Sequence, residues 1–230
     1  MKKSYKTLLF DLDDTLLDFA AAEDAALTNL FKELQIPLTE DMKETYKMFN
    51  QGLWRAHEKG EIGRDELVNT RFSIFFEHYG KNVDGAEYEK KYRNYLKEGA
   101  QLIEGALEVV ERLSQQFDLY IVTNGVKITQ QNRLKRSGLL PYFQHVFVSE
   151  EVGFQKPRIE FFNYVFSYIG ITDLDSTIII GDSLSSDIKG ANVAGIDSCW
   201  FNPFEKENVT DSVPTYQIKR ITELYEILNK

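Results

Sequence analysis

The stretch TLLFDLDDTLLDF (Thr7 to Phe19) joins an apolar run directly to a cluster of acidic residues. Thr7–Phe10 has the composition of a buried strand, and Asp11, Asp13 and Asp14 follow it at once. Two unit charges about 4 Å apart repel each other by roughly 4 kcal/mol at an effective dielectric constant near 20. The arrangement does not stabilise a fold by itself. We therefore expect a bound cation, or chemistry that needs carboxylates, at the end of this strand.

Length and composition indicate a globular protein with one large domain, or one domain and a smaller second one. The chain has 230 residues, of which 43% are hydrophobic and 27% are charged. Its formal net charge of -9 argues against a nucleic acid polymer as partner, because phosphate neutralisation needs clustered Lys and Arg. A small phosphorylated metabolite stays compatible, since a few local donors or a cation can neutralise one phosphate.

Cysteine usage and hydropathy predict a cytoplasmic protein without a membrane partner. Cys199 is the single cysteine, so no intrachain disulfide can form and a reducing compartment is expected. Its apolar context, SCWF, indicates a small core residue rather than a nucleophile. The first residues lack the pattern of a signal peptide, and no run of about 18 apolar residues predicts a transmembrane helix.

Short apolar runs separated by helical patterns predict the fold class. The runs are continuous rather than alternating, which is typical of strands buried on both faces. Helical patterns separate the last four of them, so we expect an α/β, Rossmann-like parallel sheet with helices on both faces. The predicted strands are residues 7–10, 119–122, 145–148, 177–180 and 198–201.

A helical insertion interrupts this alternation after the first strand. Between Leu16 and about Leu102 we find amphipathic helical patterns and no convincing strand. Aromatic residues recur there at helical spacing, and we interpret them as the core of the insertion. The expected organisation is a core domain of residues 1–16 and 101–230 with an inserted helical cap domain of residues 17–100.

Polar residues follow four of the predicted strands. In open parallel α/β sheets, ligands bind beyond the carboxyl ends of the strands. Each residue alone has a structural explanation, as a helix cap, a turn residue or a solvated charge. Their joint occurrence at one sheet edge predicts a functional site. In chain order the sets are Asp11 with Asp13; Thr123, Asn124 and Gly125; Lys156; and Asp182 with Asp187.

These residue types suit phosphoryl transfer. Carboxylates tolerate proximity when they share a hard cation, and few carboxylates plus a substrate phosphate suit Mg²⁺. Asp11 and Asp13, two positions apart, face the same side of an extended chain, so one could attack while the other handles the proton. Lys156, the Thr123 hydroxyl and the backbone N–H groups of Thr123–Asn124 would hold the charge of a transferring phosphoryl group.

The four segments resemble, in order, the four motifs of the haloacid dehalogenase superfamily of aspartyl-phosphate phosphatases. DLDDTL resembles the first motif, VTNG the second, the lysine of GFQKP the third and GDSLSSD the fourth. The resemblance implies that Asp11 is the nucleophile that forms an aspartyl-phosphate. It also implies that Asp13 protonates the leaving oxygen and later activates water.

The same resemblance implies the roles of the other residues. Mg²⁺ would be held by the Asp11 side chain, the Asp13 backbone carbonyl and Asp182, with Asp187 supporting the metal site. Thr123 and Lys156, with Asn124 and Gly125 beside them, would bind the phosphoryl oxygens, and Lys156 would also screen Asp11. True dehalogenases lack the acid two places after the nucleophile. Asp13 therefore implies a phosphate ester rather than a haloacid as substrate.

The helical insertion resembles the superfamily's small helical cap, which closes over the site and selects the leaving group. Within the superfamily, GLWRAHEKGEI, NTRF and CWFNP resemble the bacterial nucleoside 5′-monophosphatases that favour pyrimidines. That likeness rests on Trp54, Arg71, Trp200 and Asn202. Packing explains both tryptophans equally well, and Arg71 could pair with a surface acid.

Several alternatives stay open at this stage. The same fold could hydrolyse sugar phosphates or phosphoglycolate, or act as a phosphomutase. A phospho-accepting receiver-type switch module would also gather acids, a hydroxyl and a lysine, although the long insertion argues against it. Oligomeric state is open between monomer and homodimer.

Two metal-binding alternatives are excluded by spacing. An EF-hand that starts at Asp11 would need Gly and Glu where this chain has Leu16 and Ala22. A zinc site is not expected, because the three histidines show no ligand spacing to one another or to the cysteine.

Overall fold

A parallel six-stranded sheet forms the centre of the computed structural model, which describes residues 4–228. The strand order across the described sheet is β3-β2-β1-β4-β5-β6. This topology confirms the predicted α/β Rossmann-like class. The strands are β1 Thr7–Phe10, β2 Asp118–Thr123, β3 His145–Val148, β4 Thr177–Gly181, β5 Asp197–Phe201 and β6 Tyr216–Ile218.

Helices occupy most of the remaining described chain. Four long ones follow β1, and the later ones alternate with the strands as the sequence predicts. None of the helices within residues 4–228 combines the length and apolar composition needed to cross a lipid bilayer. In chain order they are α1 Phe19–Glu33, α2 Glu40–Glu58, α3 Arg64–His78, α4 Gly85–Leu96, α5 Ala106–Leu113, α6 Lys127–Ser137, α7 Ser149–Val152, α8 Ile159–Ile169, α9 Lys189–Ala194 and α10 Leu224–Leu228.

The predicted strands match the observed ones to within one residue at each end. β1 and β3 have the predicted bounds, and β2, β4 and β5 are each longer by a residue at one or both ends. A sixth strand, β6, is an edge strand of three residues that was not predicted. Its middle residue, Gln217, is exposed, so no continuous apolar run marks it.

Alternate residues of β1 pack into two separate hydrophobic cores. Leu8 and Phe10 belong to one core cluster, and Leu9 belongs to the other. This confirms that the strand is buried on both faces. Full burial of a Leu or Phe side chain stabilises a fold by about 1.5–3 kcal/mol. Cys199 is fully buried in the first cluster, as expected for a core residue.

The register of β1 brings the polar residues to one edge of the sheet. Phe10 pairs with Ile121 of β2 and with Ile180 of β4. The residues after these three positions therefore emerge side by side at the carboxyl end. Asp11 remains attached to this edge, because its backbone N–H donates to the Ile180 carbonyl oxygen at 2.9 Å.

A tight turn redirects the chain after β1. Asp14 has a φ of 56°, in the left-handed region that Asp tolerates better than most residues. Its backbone N–H donates to the Leu17 carbonyl at 2.7 Å, and its Oδ1 accepts from the Phe19 N–H at 3.0 Å. Leu17 also forms an antiparallel bridge with Leu102. The turn thus ends where the chain enters α1.

The described chain divides into two compact units. One contains the described residues up to Phe19 and from Ala100 onward, and the other is Ala20–Gly99. The second unit is helical throughout its regular structure and has an aromatic core. Phe72, Phe75 and Phe76 of α3 are fully buried in it, which confirms the interpretation of the aromatic pattern. That this unit acts as a cap stays a prediction.

A buried polar network lies inside the helical unit. The Arg71 guanidinium donates to both Glu89 carboxylate oxygens, at 2.7 and 2.8 Å, and to Asn50 Oδ1 at 3.0 Å. Asn50 in turn donates to Glu23 Oε1 at 2.8 Å. Glu89 is only 4% exposed, so the expectation that Arg71 pairs with a surface acid is wrong. These contacts assign Arg71 to stabilising its own unit.

We expect Arg71→Met to lower the free energy of unfolding by about 1–3 kcal/mol, since it removes buried donors from Glu89 and Asn50 while Arg93 still pairs with Glu89. Arg55→Met, at an exposed position of α2, is the matched control and should change stability by less than about 0.5 kcal/mol. Urea denaturation measures both values. A loss for Arg71→Met no larger than that of the control would contradict the network.

Candidate active site

Lys156 lies at the centre of the site, where its ammonium group binds two carboxylates and a carbonyl. Its Nζ donates to Asp11 Oδ1 at 2.7 Å, to Asp187 Oδ1 at 2.6 Å and to the Val122 carbonyl at 2.7 Å. The side chain is 1% exposed. Because an ammonium group has three donors, all of its hydrogen-bonding capacity is used in this arrangement.

Asn124 positions the backbone of Lys156. The Asn124 amide Nδ2 donates to the Lys156 carbonyl at 2.9 Å, and the Lys156 N–H donates to Asn124 Oδ1 at 2.9 Å. This pair of hydrogen bonds attaches the loop after β3 to the end of β2. The Asn124 side chain is thus used to fix the lysine, a role that the sequence analysis did not foresee.

Three carboxylates converge beside the lysine. One oxygen from each of Asp11, Asp182 and Asp187 lies within 4.8 Å of the other two. Among residues 4–228, no donor hydrogen-bonds to the Asp182 carboxylate, whereas Asp187 is held by Lys156 and by the Ser183 N–H at 3.1 Å. Asp11 and Asp182 therefore offer the accessible oxygens, whereas the Asp187 carboxylate is held by hydrogen bonds within the protein.

A π-helical turn returns Asp187 to the end of β4. The turn comprises Leu184–Ile188 and is capped by Ser183, whose Oγ accepts from the Ser186 N–H at 3.2 Å. A Cβ on Gly181 would lie 2.3 Å from the Asp187 carboxylate. A side chain at position 181 would thus displace this carboxylate, which explains the glycine in GDSLSSD. Such π-turns are frequent at functional sites.

Burial and mutual repulsion shift the titration of the carboxylates. Burial, together with the Asp187 and Asp13 charges, raises the pKa of Asp11 to about 8 against the opposing effect of Lys156. Burial and the charges of Asp11 and Asp187 raise the pKa of Asp182 well above its usual value. Burial lowers the pKa of Lys156, but the two carboxylates raise it by more, so the ammonium stays charged.

The cluster of carboxylates from Asp11, Asp182 and Asp187 fits a hard divalent cation. Oxygen is the ligand that Mg²⁺ prefers in proteins. Each of the three residues offers one carboxylate oxygen, and these oxygens lie within 4.8 Å of one another. A cation would also offset the burial and the mutual repulsion that raise the pKa values of Asp11 and Asp182. The donor set therefore matches the predicted Mg²⁺ site.

Thr123 ends β2 with its hydroxyl in a small polar network. Its Oγ1 accepts from the Gly125 N–H at 3.1 Å and from Gln130 Nε2 at 3.0 Å. Since the oxygen accepts both bonds, the hydroxyl proton is the group that can be donated to a ligand. Thr15, which was not assigned a role from sequence, lies near Asp11 with its Oγ1 3.5 Å from Asp11 Oδ2.

The Asp13 side chain is not part of the carboxylate cluster formed by Asp11, Asp182 and Asp187. Gln130 Nε2 donates to Asp13 Oδ2 at 2.6 Å, and Arg133 forms an ion pair with the same carboxylate. The sequence analysis missed Gln130 and Arg133. Gln130, Arg133 and Leu134 lie on one face of α6, but with two polar residues that face carries no apolar stripe from which burial could be predicted.

Two further residues singled out in the sequence are Trp200, in β5, and Asn202, just after it. Trp200 Nε1 donates to the Asp182 carbonyl at 2.9 Å. Asn202 forms paired hydrogen bonds with the backbone of Lys206, each of 2.9 Å. Trp54, by contrast, belongs to the helical unit, where its ring meets His57 edge-on. Packing and loop geometry account for all three side chains.

Comparison with known proteins identifies relatives over the whole chain. The family model described as haloacid dehalogenase-like hydrolase matches residues 8–201. A Bacillus subtilis protein named "Putative HAD-hydrolase YfnB" is 59% identical over 99% of this chain and 97% of its own length. Pyrimidine 5′-nucleotidase PynA of Streptococcus pneumoniae is 44% identical over 98% of this chain and 96% of its own length. Pyrimidine 5′-nucleotidase YjjG of Escherichia coli is 30% identical over 97% of each chain.

The fold is also shared with a solved structure. A crystal structure of the Bacillus subtilis YfnB protein bound to magnesium superposes with a TM-score of 0.95 and 57% sequence identity. The match covers 99% of this chain and 100% of that one. That magnesium ion was bound by the relative. Its presence there is consistent with the cluster of three carboxylates in this chain.

We expect Mg²⁺ to stabilise the wild-type protein by about 2.7 kcal/mol at a concentration 100 times its Kd. Asp182→Asn should lose most of this increase, because it removes an oxygen charge that faces the cation. Asp175→Asn, an exposed residue near the same strand, is the control and should keep the full increase. Denaturation with MgCl₂ and with EDTA measures the effect. An unchanged Mg²⁺ increase in Asp182→Asn would contradict the assignment.

Proposed function

This chain belongs to the haloacid dehalogenase-like hydrolase family, and we propose that it is a Mg²⁺-dependent phosphomonoester hydrolase that works through an aspartyl-phosphate on Asp11. The family and its 5′-nucleotidase relatives make the protein an enzyme of the phosphoric monoester hydrolase class. The metal dependence, the intermediate and the substrate are the parts that we infer.

One observation carries the proposal. The carboxylates of Asp11, Asp182 and Asp187 meet within 4.8 Å at the end of the sheet, with the Lys156 ammonium bound among them. When bound, Mg²⁺ would be held by the Asp11 side chain, the Asp13 backbone carbonyl and Asp182, and it would neutralise carboxylate and phosphate charge there. A site built for stability alone would not concentrate buried acids in this way.

In the first step, an Asp11 carboxylate oxygen attacks phosphorus and the bond to the leaving oxygen breaks. Asp13 gives its proton to that oxygen, so the alcohol leaves neutral. The Asp11 Oδ1 atom accepts a hydrogen bond from Lys156 at 2.7 Å, and we assign the attack to Oδ2, which among the described residues has only the longer 3.5 Å contact with the Thr15 hydroxyl. Lys156 thereby orients the nucleophile and offsets its charge beside the anionic ester.

In the second step, water attacks phosphorus and the bond from Asp11 to phosphorus breaks. Asp13, now a carboxylate, takes the proton from water, and the enzyme returns to its starting state with release of inorganic phosphate. The Thr123 hydroxyl donates to a phosphoryl oxygen in both steps. The Asn124 side chain and the Gly125 N–H are engaged within the protein, so the backbone N–H of Asn124 is the remaining phosphate donor that we propose in this loop.

We infer that the substrate is a nucleoside 5′-monophosphate with a pyrimidine base. The support is the similarity to two pyrimidine 5′-nucleotidases over nearly the whole chain, at 44% and 30% identity. Membership in a hydrolase family argues against the receiver-type switch. Phosphatase activity on sugar phosphates or phosphoglycolate, and phosphomutase activity, are the competing outcomes of the substrate test.

Two further expectations concern the binding partner and the cellular location. We propose a small phosphorylated metabolite as partner and a cytoplasmic location. The single buried cysteine supports the location, and the net charge of -9 disfavours a nucleic acid polymer as the alternative partner.

Asp11→Asn should abolish turnover, because an amide cannot form the acyl phosphate, while the fold is retained. Phosphate release from uridine 5′-monophosphate measures activity, and circular dichroism checks the fold. Asp175→Asn, an exposed acid, is the control and should keep wild-type kcat/KM. Full activity in Asp11→Asn would refute the assignment of the nucleophile.

A substrate screen tests the leaving group. We expect the highest kcat/KM for pyrimidine nucleoside 5′-monophosphates, compared with purine nucleotides, sugar phosphates and phosphoglycolate. A flat profile, or one led by a sugar phosphate, would end the nucleotide proposal. Isomerisation of a phosphosugar without phosphate release would instead show a phosphomutase, and one phosphorylation per chain without turnover would show a receiver.

A further inference from the structure

Two buried residues of α6 bind the carboxylate of Asp13. Gln130 and Arg133 are 1% and 0% exposed, and each contacts a different oxygen of this carboxylate. We propose that Gln130 and Arg133 are positioning residues that fix the Asp13 side chain for proton transfer, an inference that rests on the proposed function. Neither residue is assigned contact with the substrate.

Gln130 is oriented by its own hydrogen bonds. Its Nε2 donates to Asp13 at 2.6 Å and to Thr123 Oγ1 at 3.0 Å, while its Oε1 accepts from Arg133 Nη1 at 3.4 Å. The arginine thus holds the amide with its nitrogen toward the acid. One amide group thereby connects the residue proposed to transfer protons with the hydroxyl proposed to bind phosphate.

The glycine of VTNG makes room for this amide. A Cβ on Gly125 would lie 2.3 Å from Gln130 Nε2, a separation that side-chain atoms do not adopt. The absence of a side chain at position 125 therefore fits the presence of Gln130 next to Thr123. This gives Gly125 a reason that is independent of phosphate binding.

Burial of the Arg133 guanidinium has a large desolvation cost that packing alone does not explain. A guanidinium in the protein interior loses its hydration, and replacement of buried ion pairs by apolar residues is often neutral or stabilising. Leu134, the next residue, shows that this helix can present an apolar side chain to the same core. The Arg133 Nη1 atom pairs with one oxygen of the Asp13 carboxylate, a charged contact that an apolar side chain could not make. The Phe19 ring, 5.6 Å away, adds a further contact to the guanidinium.

A double-mutant cycle with Asp13 separates positioning from general support of the fold. Gln130→Met and Arg133→Lys should each lower kcat about 10- to 100-fold, because a misplaced acid–base group transfers protons poorly, with KM nearly unchanged. Asp13→Ala should lower kcat about 10²- to 10⁴-fold. In the Asp13→Ala background, Arg133→Lys should cause less than about a twofold further loss. Gln130→Met should lose clearly less there than in the wild type, and the remaining loss should be the part that passes through its hydrogen bond to Thr123.

The matched controls lie on the exposed side of the same helix. Gln131→Met and Arg136→Lys make the same chemical changes at exposed positions and should keep wild-type kcat. Arg133→Met should be slower than Arg133→Lys, since lysine keeps the charge but not the planar geometry. If Arg133→Met fails to fold, Gln130→Met and Arg133→Lys still give the cycle.

A leaving-group experiment supplies a readout that loss of folded protein cannot imitate. Nitrophenolate leaves p-nitrophenyl phosphate without help from an acid, whereas hydrolysis of the phosphorylated enzyme still needs a base. In Gln130→Met and Arg133→Lys we expect a nitrophenolate burst that approaches one equivalent per enzyme and exceeds that of the wild type. Partial unfolding would reduce the burst and the steady-state rate together.

The outcomes distinguish the inference from the proposed function. Further losses in the Asp13→Ala background as large as those in the wild type would overturn positioning and leave the phosphatase assignment intact. Wild-type kcat in both Gln130→Met and Arg133→Lys would also overturn the positioning role and leave the phosphatase assignment intact. A wild-type protein that releases no phosphate from any ester would overturn the proposed function, and this inference with it.

Discussion

The buried ammonium of Lys156 is the interaction on which the rest of the site depends. It connects the end of β1, the end of β2 and the π-helical turn after β4 through bonds of 2.6–2.7 Å to Asp11, Asp187 and the Val122 carbonyl. A buried charge is stable only when it is paired and its donors are satisfied. The lysine therefore needs the carboxylates for its own burial, and the carboxylates need it to lie close together.

The single positive charge of Lys156 does not neutralise the three carboxylates of the site. The excess negative charge is what favours binding of a cation. Asp11, Asp182 and Asp187 share a small volume with a single ammonium group, and burial, with the mutual repulsion of these charges, raises the pKa values of Asp11 and Asp182. A divalent cation and an anionic ester together complete the charge balance. The fold supplies rigidity for this, because parallel strands pinned by two hydrophobic cores leave their carboxyl ends side by side.

Local patterns in the sequence predicted the sheet and the acidic edge well, and long-range pairing was the part that they could not predict. β1 is a continuous apolar run, so its position and burial followed from periodicity. The contact between Asp13 and Gln130 joins residues 117 positions apart, and no local rule pairs them. Arg71 shows the same limit, since its amphipathic helix did not reveal that Glu89 is buried with it. β6 was missed because three residues with an exposed centre carry no apolar run.

Anomalous diffraction from crystals grown with Mn²⁺ in place of Mg²⁺ tests the central claim most directly, because it locates the cation without reference to activity. The account predicts a peak within about 2.1–2.3 Å of carboxylate oxygens from both Asp11 and Asp182, the ordinary range for such metal–oxygen bonds. Absence of a peak between these two residues, at a Mn²⁺ concentration that supports phosphate release, would contradict it.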